Sequence, residues 1–574
     1  MLYHVTYCYV RWGKGKFPAL PSPSQVVAAP MSIGVPAQFI ACKSQSDLAA
    51  LLSVSLPRLR FHLYSKNAPS YRHFNIPKAN GSPRAISSPP PVILRWQAQI
   101  ARILADSYIP KPSVHRFVSK RGIVTNAQVH VGQQYVLNID LDNFFPTIHF
   151  GRVKGLFLKP PFSFPPQVAA TLAQLCTDNG RLPQGAPTSP AVSNLICRRL
   201  DNELARFSSK HKCVYTRYAD DITFSSSTAQ FPSQIVLSHD LYGSSVTLGS
   251  ELVHIISKHQ FQVNTSKSRV RSSEQRQEVT GLTVNKKVNV SKKYIRRLRA
   301  ILDGWKVLGY AASESEFLKL DKTRVVRSLG QPTLLLHIRG KLQYLRMVRG
   351  DGDLTYIKYA LQAARLTHNI DPPVICKAAA LIEDFIEESV WVVIGEDSAQ
   401  NAVAQGSAFF LRGVGFVSAL HVIANPASSV KCWFLQSMRA PFFRMPITGY
   451  KANPHVDIAI LQSAARTFGQ LRASDVDASS GDTMTLVGYP NWHSTADRTL
   501  IAPATVVQSK VVSTVHFSSV SYPLLSGASG APALNAAGEV SGVITNSSTH
   551  STIPNAFVAI KHIPLALAGT YVTL

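Results

Sequence analysis

The chain has 574 residues, 45% hydrophobic and 16% charged, which excludes a disordered polymer and leaves room for several domains with cores of their own. Its net charge of +28 is uneven: residues 381–574 hold 10 Lys and Arg against 12 Asp and Glu, so the 50 against 20 in residues 1–380 carry all the excess. Solubility alone needs no such asymmetry, and one strongly basic part points to a polyanion, most simply nucleic acid.

In chain order, residues 1–43 read as an irregular extension with no assigned function, in which Met31 is an alternative start. Arg11, Lys14 and Lys16 are followed by no clean apolar core, so no signal peptide is expected. The uncharged run Phe17 to Cys42 is interrupted by Pro18, Pro21, Pro23, Pro30 and Pro36, which argues against a membrane anchor. In "SQSDLAALLSVSLPRLRFHL", Leu48, Leu51 and Leu52 have helical spacing behind the capping candidates Ser44 and Ser46. Strand-like and helix-like segments then alternate to about residue 300. Residues 291–365 read mostly helical, "SKKYIRRLRAILDGW" and "LHIRGKLQYLRMV" both interleaving apolar and basic positions. "THNIDPPV" breaks the chain, a short acidic helix "AAALIEDFIEES" follows, and beyond 390 short β-rich runs alternate with turn residues. The division is expected near 370–390, where the charge balance also changes. The seven cysteines form no CxxC pair, and only Cys432 lies in the last third, which fits a reducing compartment.

Two apolar β-type runs carry acids. "VYTRYADDITFSSS" places Asp220 and Asp221 side by side, and "VLNIDLDNFFPTI" holds Asp140 and Asp142. Adjacent carboxylates in a would-be hairpin repel each other. Bound divalent cations cancel that repulsion, and transfer of a phosphoryl group to a hydroxyl needs two such ions about 3.5–4 Å apart on oxygen ligands.

These residues resemble the reverse transcriptases. Tyr218-Ala219-Asp220-Asp221 is similar to their YxDD signature, Asp140 to their first metal-binding Asp, and Phe145 to the bulky gate that excludes a ribose 2′-OH. "LPQGAPTSPAVSNL", with Gln184 and Gly185, resembles the segment that contacts dNTP and template. "YRHFNIPKANGSPRAI" resembles the fingers, where Lys78 and Arg84 would hold the triphosphate. Lys267 in "NTSKSRV" resembles a later palm lysine, while Asp142 matches no essential position. "NAQVH" (Asn126, Ala127 to His130) and Val279-Thr280-Gly281 have the NAxxH and VTG forms of retron reverse transcriptases.

The resemblance covers residues 45–365. It implies two Mg2+ ions, or Mn2+ in their place, on Asp140, Asp220 and Asp221, together with dNTP substrates. It further implies a cognate non-coding RNA recognised through the two motifs, priming from an internal guanosine 2′-OH, RNA-linked single-stranded DNA (msDNA), and a role in antiphage defence in the bacterial cytoplasm.

In the C-terminal part, "SGASGAPAL" sets Ser529 between Gly527 and Gly530, whose backbone freedom lets N–H groups converge on one point. "GSAFFLRGVGFVSALHVI" presents His421, and "NPHVDIAIL" presents Asp457. A hydroxyl nucleophile needs a base, and the base needs an orienting carboxylate. The order His, Asp, Ser resembles the chymotrypsin-like serine proteases, which implies that the Gly527 and Ser529 amides form the oxyanion hole. Ala528 stands where zymogen-activated members have an Asp. Pro523 replaces the acid that selects Lys or Arg, so an uncharged residue is expected at the cleavage site of an unidentified protein substrate.

The expected architecture is an α+β right-hand polymerase followed by an all-β double-barrel chymotrypsin-like domain. Its parts are an extension (1–43), fingers and palm (44–290), a helical thumb and RNA-binding region (291–370), a linker helix (371–389) and a protease (390–574). Three competitors differ in kind. A viral-type polymerase–protease polyprotein would usually carry GDD and place its protease first. A group II intron enzyme would carry a maturase or endonuclease tail. An RNA-binding scaffold with a degenerate protease fold would show no activity.

Overall fold

The computed structural model describes residues 37–77, 81–240, 243–320, 333–367, 383–424, 429–438, 443–490, 499–546 and 553–574. The extension up to residue 36, Lys78 and most of the linker helix lie outside them. The chain forms two compact units, residues 1–289 and 290–574.

The first unit opens with α1 (Ala37–Ile40), α2 (Gln45–Leu51) and α3 (Leu56–Tyr64). Ser44 caps α2: its hydroxyl accepts from Asp47 N–H, and the Asp47 carboxylate accepts in return from Ser44 N–H. The hairpin β1 (Arg72–Pro77) and β2 (Pro83–Ser88) follows, then α4 (Pro91–Asp106) and α5 (Ile123–Gln128). The remainder is β3 (Tyr135–Leu141), α6 (Phe144–Thr147), α7 (Phe150–Leu158), α8 (Pro166–Cys176), α9 (Ser189–Lys210), β4 (Val214–Tyr218), β5 (Asp221–Ser226), β6 (Val236–His239), β7 (Val246–Leu248), α10 (Ser250–Lys258), β8 (Val263–Ser272), β9 (Glu278–Val279) and β10 (Leu282–Thr283).

Strands β4-β5-β3-β8 make one antiparallel sheet. Leu137, Ile139, Ile222 and Phe224 from this sheet join Leu200 and Leu204 of α9 in one core. Burying each such side chain contributes about 1.5–3 kcal/mol. This core fixes which ends of β3 and β5 meet.

The second unit begins with α11 (Lys292–Leu320), kinked at Gly309 (φ 77°), then α12 (Thr333–Arg349) and α13 (Leu354–Thr367). Next come α14 (Glu383–Ile386), β11 (Val390–Glu396), β12 (Ala402–Leu411), β13 (Gly415–Ala419), α15 (Leu420–Ala424), β14 (Cys432–Gln436), β15 (Arg444–Asn453) and β16 (Ile458–Ser463). Last are β17 (Thr483–Gly488), β18 (Leu500–Val512), β19 (Val515–Val520), β20 (Pro532–Leu534), β21 (Val540–Asn546), β22 (Ala556–Ala559), α16 (Ile563–Leu567) and β23 (Thr570–Thr573).

Strands β14-β11-β12-β13-β16-β15 run as a sheet that the β14–β15 pairing closes, with β23 added on β15. Strands β17-β18-β19-β22-β21-β20 form a second closed barrel. Trp391, Phe416 and Trp433 fill the first; Leu486, Ala533 and Phe557 fill the second. The polymerase-like unit and the double barrel agree with the expected fold class. The division expected near 370–390 lies inside the second compact unit. The helices α11–α13 fall within that unit, and Arg365 of α13 forms an ion pair with the buried Glu388 just before β11.

Candidate active sites

Asp140 near the end of β3 stands opposite Asp221 at the start of β5, and β4 and β5 are joined by a two-residue turn, Ala219-Asp220. Ala219 holds φ at 63°, a conformation that disfavours any side chain, as strained turns at working sites do. Leu141 N–H donates to Asp220 O at 3.0 Å, tying the turn to β3. The register of β8 slips between the partners of Asn138 and Asp140, and Lys267 in that irregular stretch reaches Asp140 Oδ2 at 2.8 Å.

Desolvation and the charges of Asp220 and Asp140 push the Asp221 carboxyl up to about 7, even though its residue surface opens to the cleft. Burial, with the Asp140 charge, raises Asp220 as well; Lys267 and Arg84 act against this. The donor set is hard carboxylate oxygen, which suits Mg2+. Among the described residues no group of three or more His, Cys, Asp or Glu stands ready to hold a metal ion.

Beneath the turn lies a network that sequence reading missed. Arg217 and Asp201 are both fully buried, with Arg217 Nε and Nη2 on the two Asp201 oxygens at 2.7 and 2.8 Å. Tyr215 OH donates to Asp201 at 2.8 Å, and Arg217 Nη1 donates to Ala219 O at 3.1 Å. The guanidinium thus holds the carbonyl of the strained residue. An arginine inside a buried β-run was the available signal, since a buried charge needs a partner.

A cleft of about 410 Å³ is lined by Asp140, Asp221, Tyr218, Lys267, Arg269, Arg271, Arg276, Thr280 and Gly281, among others. Thr280 (φ 48°) and Gly281 (φ 79°) form the left-handed turn between β9 and β10. Thr280 Oγ1 donates to Ile123 O at 3.2 Å, joining the VTG turn to α5 and its NAxxH residues.

The NAxxH residues and Val279 are buried. Asn126, Ala127, His130 and Val279 are at most 1% exposed. His130 bonds Ser225 Oγ through Nδ1 and Thr216 Oγ1 through Nε2, both at 2.7 Å, which leaves no ring nitrogen for a ligand. These residues support the wall; Thr280 and Gly281 line the cleft.

Burial lowers His130 to about 3 and His115 to about 4. The unfolded chain takes up these protons below about pH 6.5, whereas the fold does not until near those values. Stability is therefore expected to fall on acidification below pH 6.5, by about 1.4 kcal/mol per pH unit for each histidine. Hydrogen exchange of the β3 and β5 amides between pH 7 and 5, corrected for intrinsic rates, checks this. A flat profile would contradict it.

The nucleotide-side residues are placed as follows. Ser87 N–H on β2 donates to Gln184 O at 3.0 Å. Gly185 (φ 133°) is needed there, because a Cβ would lie 2.8 Å from Ser87 O. Arg84 on β2 is exposed, and its charge reaches Asp220. Phe145 on α6 is half-buried against Phe144, ring centroids 5.2 Å apart. The Asp142 carboxylate accepts from its neighbour Asn143 at 2.9 Å.

In the second unit, β13 pairs with β16 so that Ala419 faces Ile458. This sets His421, just past β13, beside Asp457, just before β16. His421 Nδ1 lies 2.8 Å from Asp457 Oδ2, and His421 N–H donates to Asp457 Oδ1 at 2.9 Å. Asp457 adopts φ 48° to make both bonds. Ser529 sits in the loop before β20; at the adjacent Gly530, Ala419 N would lie 2.9 Å from an added Cβ, so the loop rests on the strand leading to His421. Among the described residues no hydrogen bond joins Ser529 to His421, and such bonds often tighten only with substrate present. The Gly527 and Ser529 N–H groups donate to no protein acceptor there either. Ala528 is buried and Pro523 exposed.

Residues 76–310 match the family described as reverse transcriptase (RNA-dependent DNA polymerase), and residues 406–543 match the trypsin-like peptidase domain. The chain is 34% identical over 285 residues to the retron Mx65 reverse transcriptase of Myxococcus xanthus, covering 45% of this chain and 62% of that protein. It is 29% identical over 257 residues to the retron Ec86 reverse transcriptase of Escherichia coli, covering 44% and 75%. The match thus spans about three fifths of the length of the Mx65 enzyme. Among solved structures, the active form of the Rv3671c protease from M. tuberculosis aligns at TM-score 0.27 and 17% identity, over 32% of this chain and 81% of that one. Deg5 aligns at 0.28 and 19%, over 34% and 96%. The chain joins a reverse transcriptase domain, whose curated relatives are retron enzymes, to a trypsin-like peptidase domain.

Proposed function

We propose that the chain binds a cognate structured non-coding RNA and copies part of it from dNTPs into DNA that stays joined to the RNA. The observation that carries this reading is Asp140 facing Asp221, with Lys267 on Asp140, in a cleft walled by three arginines. Asp140, Asp220 and Asp221 would hold two Mg2+ ions, with Mn2+ as a substitute; when bound, the ions neutralise charge on the transferring phosphoryl group. Lys267 orients Asp140, Arg84 faces the triphosphate side, and Phe145 excludes the 2′-OH. The arginine wall and the Thr280-Gly281 turn guide the RNA strand that supplies the priming hydroxyl. The basic helices α11 to α13 add phosphate contacts.

The peptidase domain is a serine endopeptidase, with Ser529 as nucleophile, His421 as base and Asp457 orienting it. Supporting this are the doubled Asp457–His421 contact and the two unengaged amides at Gly527 and Ser529. Its role is that of an effector in antiphage defence in the bacterial cytoplasm, restrained by the RNA–DNA product until phage interference releases it.

Extension of a primed RNA template with dNTPs and Mg2+ tests the polymerase reading; no DNA at any divalent cation concentration would overturn it. In the same assay Phe145→Ala is expected to raise ribonucleotide incorporation at least about tenfold, because loss of a steric block of about 1.4 kcal/mol or more is worth that factor. Unchanged discrimination would remove Phe145 as the gate.

A further inference from the structure

The loop that carries Ser529 has a nearly complete hydrogen-bond account. Gly527 O accepts from the Ser407 hydroxyl at 2.9 Å. Ala528 N–H donates to Leu525 O at 3.2 Å, Ser529 O accepts from Ser407 N–H at 2.8 Å, and Gly530 N–H donates to Ile544 O at 2.7 Å. Within the stretch 527–530 the donors left over are the Gly527 and Ser529 amides, the pair that a developing oxyanion requires. Two of the four bonds come from a single residue on β12, Ser407, which is fully buried.

The direction of the Ser407 hydroxyl is fixed. Its oxygen accepts from Tyr489 N–H at 3.2 Å, which leaves its proton for Gly527 O. The Ser407 carbonyl accepts from the Ser418 hydroxyl at 2.8 Å, three residues before His421. Gly530 (φ 85°) allows this seating, because a Cβ there would lie 2.1 Å from Ser407 O and 2.3 Å from Ser418 Oγ. Gly527 (φ 88°) is the loose joint of the loop, since a glycine swings through conformations closed to other residues. The Gly527 carbonyl shares its peptide with the Ala528 N–H that Leu525 O accepts, so the Ser407 hydroxyl completes the anchoring of the one peptide that lies between the two free amides. Packing alone would be met by an alanine, whereas a buried hydroxyl is tolerated only when bonded.

We propose that Ser407 is a positioning residue of the peptidase site: its hydroxyl and amide hold the Gly527–Ser529 backbone so that the two free N–H groups converge on the oxyanion. The inference rests on the serine peptidase reading above.

The test is the rate at which a fluorophosphonate probe labels Ser529 in the full-length chain, measured from pH 5 to 9. Ser407→Ala is expected to lower the plateau rate about 10- to 100-fold, somewhat less than the full loss of one oxyanion donor. The pH midpoint should stay in place, because His421 and Asp457 are untouched. Ser407→Cys, which keeps the volume and a weak donor, should fall between and serves if the alanine variant does not fold. Labelling of a folded variant at the wild-type plateau, or a moved midpoint with an unchanged plateau, would overturn the proposal. A folded wild type that never reacts would instead overturn the peptidase reading itself.

Discussion

Asp221→Asn is expected to reduce DNA synthesis by about 10³-fold or more, since losing roughly 4 kcal/mol of charge stabilisation in the transition state is worth that factor. The same substitution should stabilise the cation-free protein at pH 8. The folded carboxyl titrates near 7 because burial and the neighbouring acids oppose its charge, whereas in the unfolded chain it ionises near 4. Stability is therefore lost as pH rises from about 4 to 7, and the deficit is complete above that. An amide carries no such deficit. Mg2+ should raise the melting temperature of the wild type more than that of the variant, a readout independent of catalysis. Synthesis at near wild-type rate, or an equal response to Mg2+, would remove Asp221 from the metal site.

Ser529→Ala is expected to abolish peptide hydrolysis, by a factor on the order of 10⁶ where chemistry limits turnover, while DNA synthesis stays near normal. In cells it should remove both toxicity and phage protection. The pair of substitutions decides the sign of control. If the RNA–DNA product restrains the peptidase, Asp221→Asn alone should harm the cell and Asp221→Asn with Ser529→Ala should not. Protection that survives Ser529→Ala against every phage would exclude the peptidase as effector. A harmless Asp221→Asn variant that fails to protect would make the DNA an activator.

The parts most legible in the sequence are those with a local signature. Short β-rich runs separated by turn residues mark the barrel strands, and acids inside apolar runs single out Asp140, Asp220 and Asp221 because their charge is costly there. What escapes is whatever depends on distant partners. Arg217 and Asp201 sit on β4 and α9, and only the fold shows that their ion pair lies under the Ala219 turn. Ser407 looks like any small residue in a strand until Gly527 is seen 2.9 Å away. The NAxxH and VTG motifs read as RNA contacts, yet burial leaves Thr280 and Gly281 as the part that faces the cleft.

The most direct test of the central claim is to purify the full-length protein from a host carrying its native locus and sequence the nucleic acid that stays bound. The account predicts a short single-stranded DNA covalently joined to an RNA encoded beside the gene, absent from the Asp221→Asn variant and present with Ser529→Ala. Bound RNA without any linked DNA in the wild type, or DNA of unrelated sequence, would contradict it.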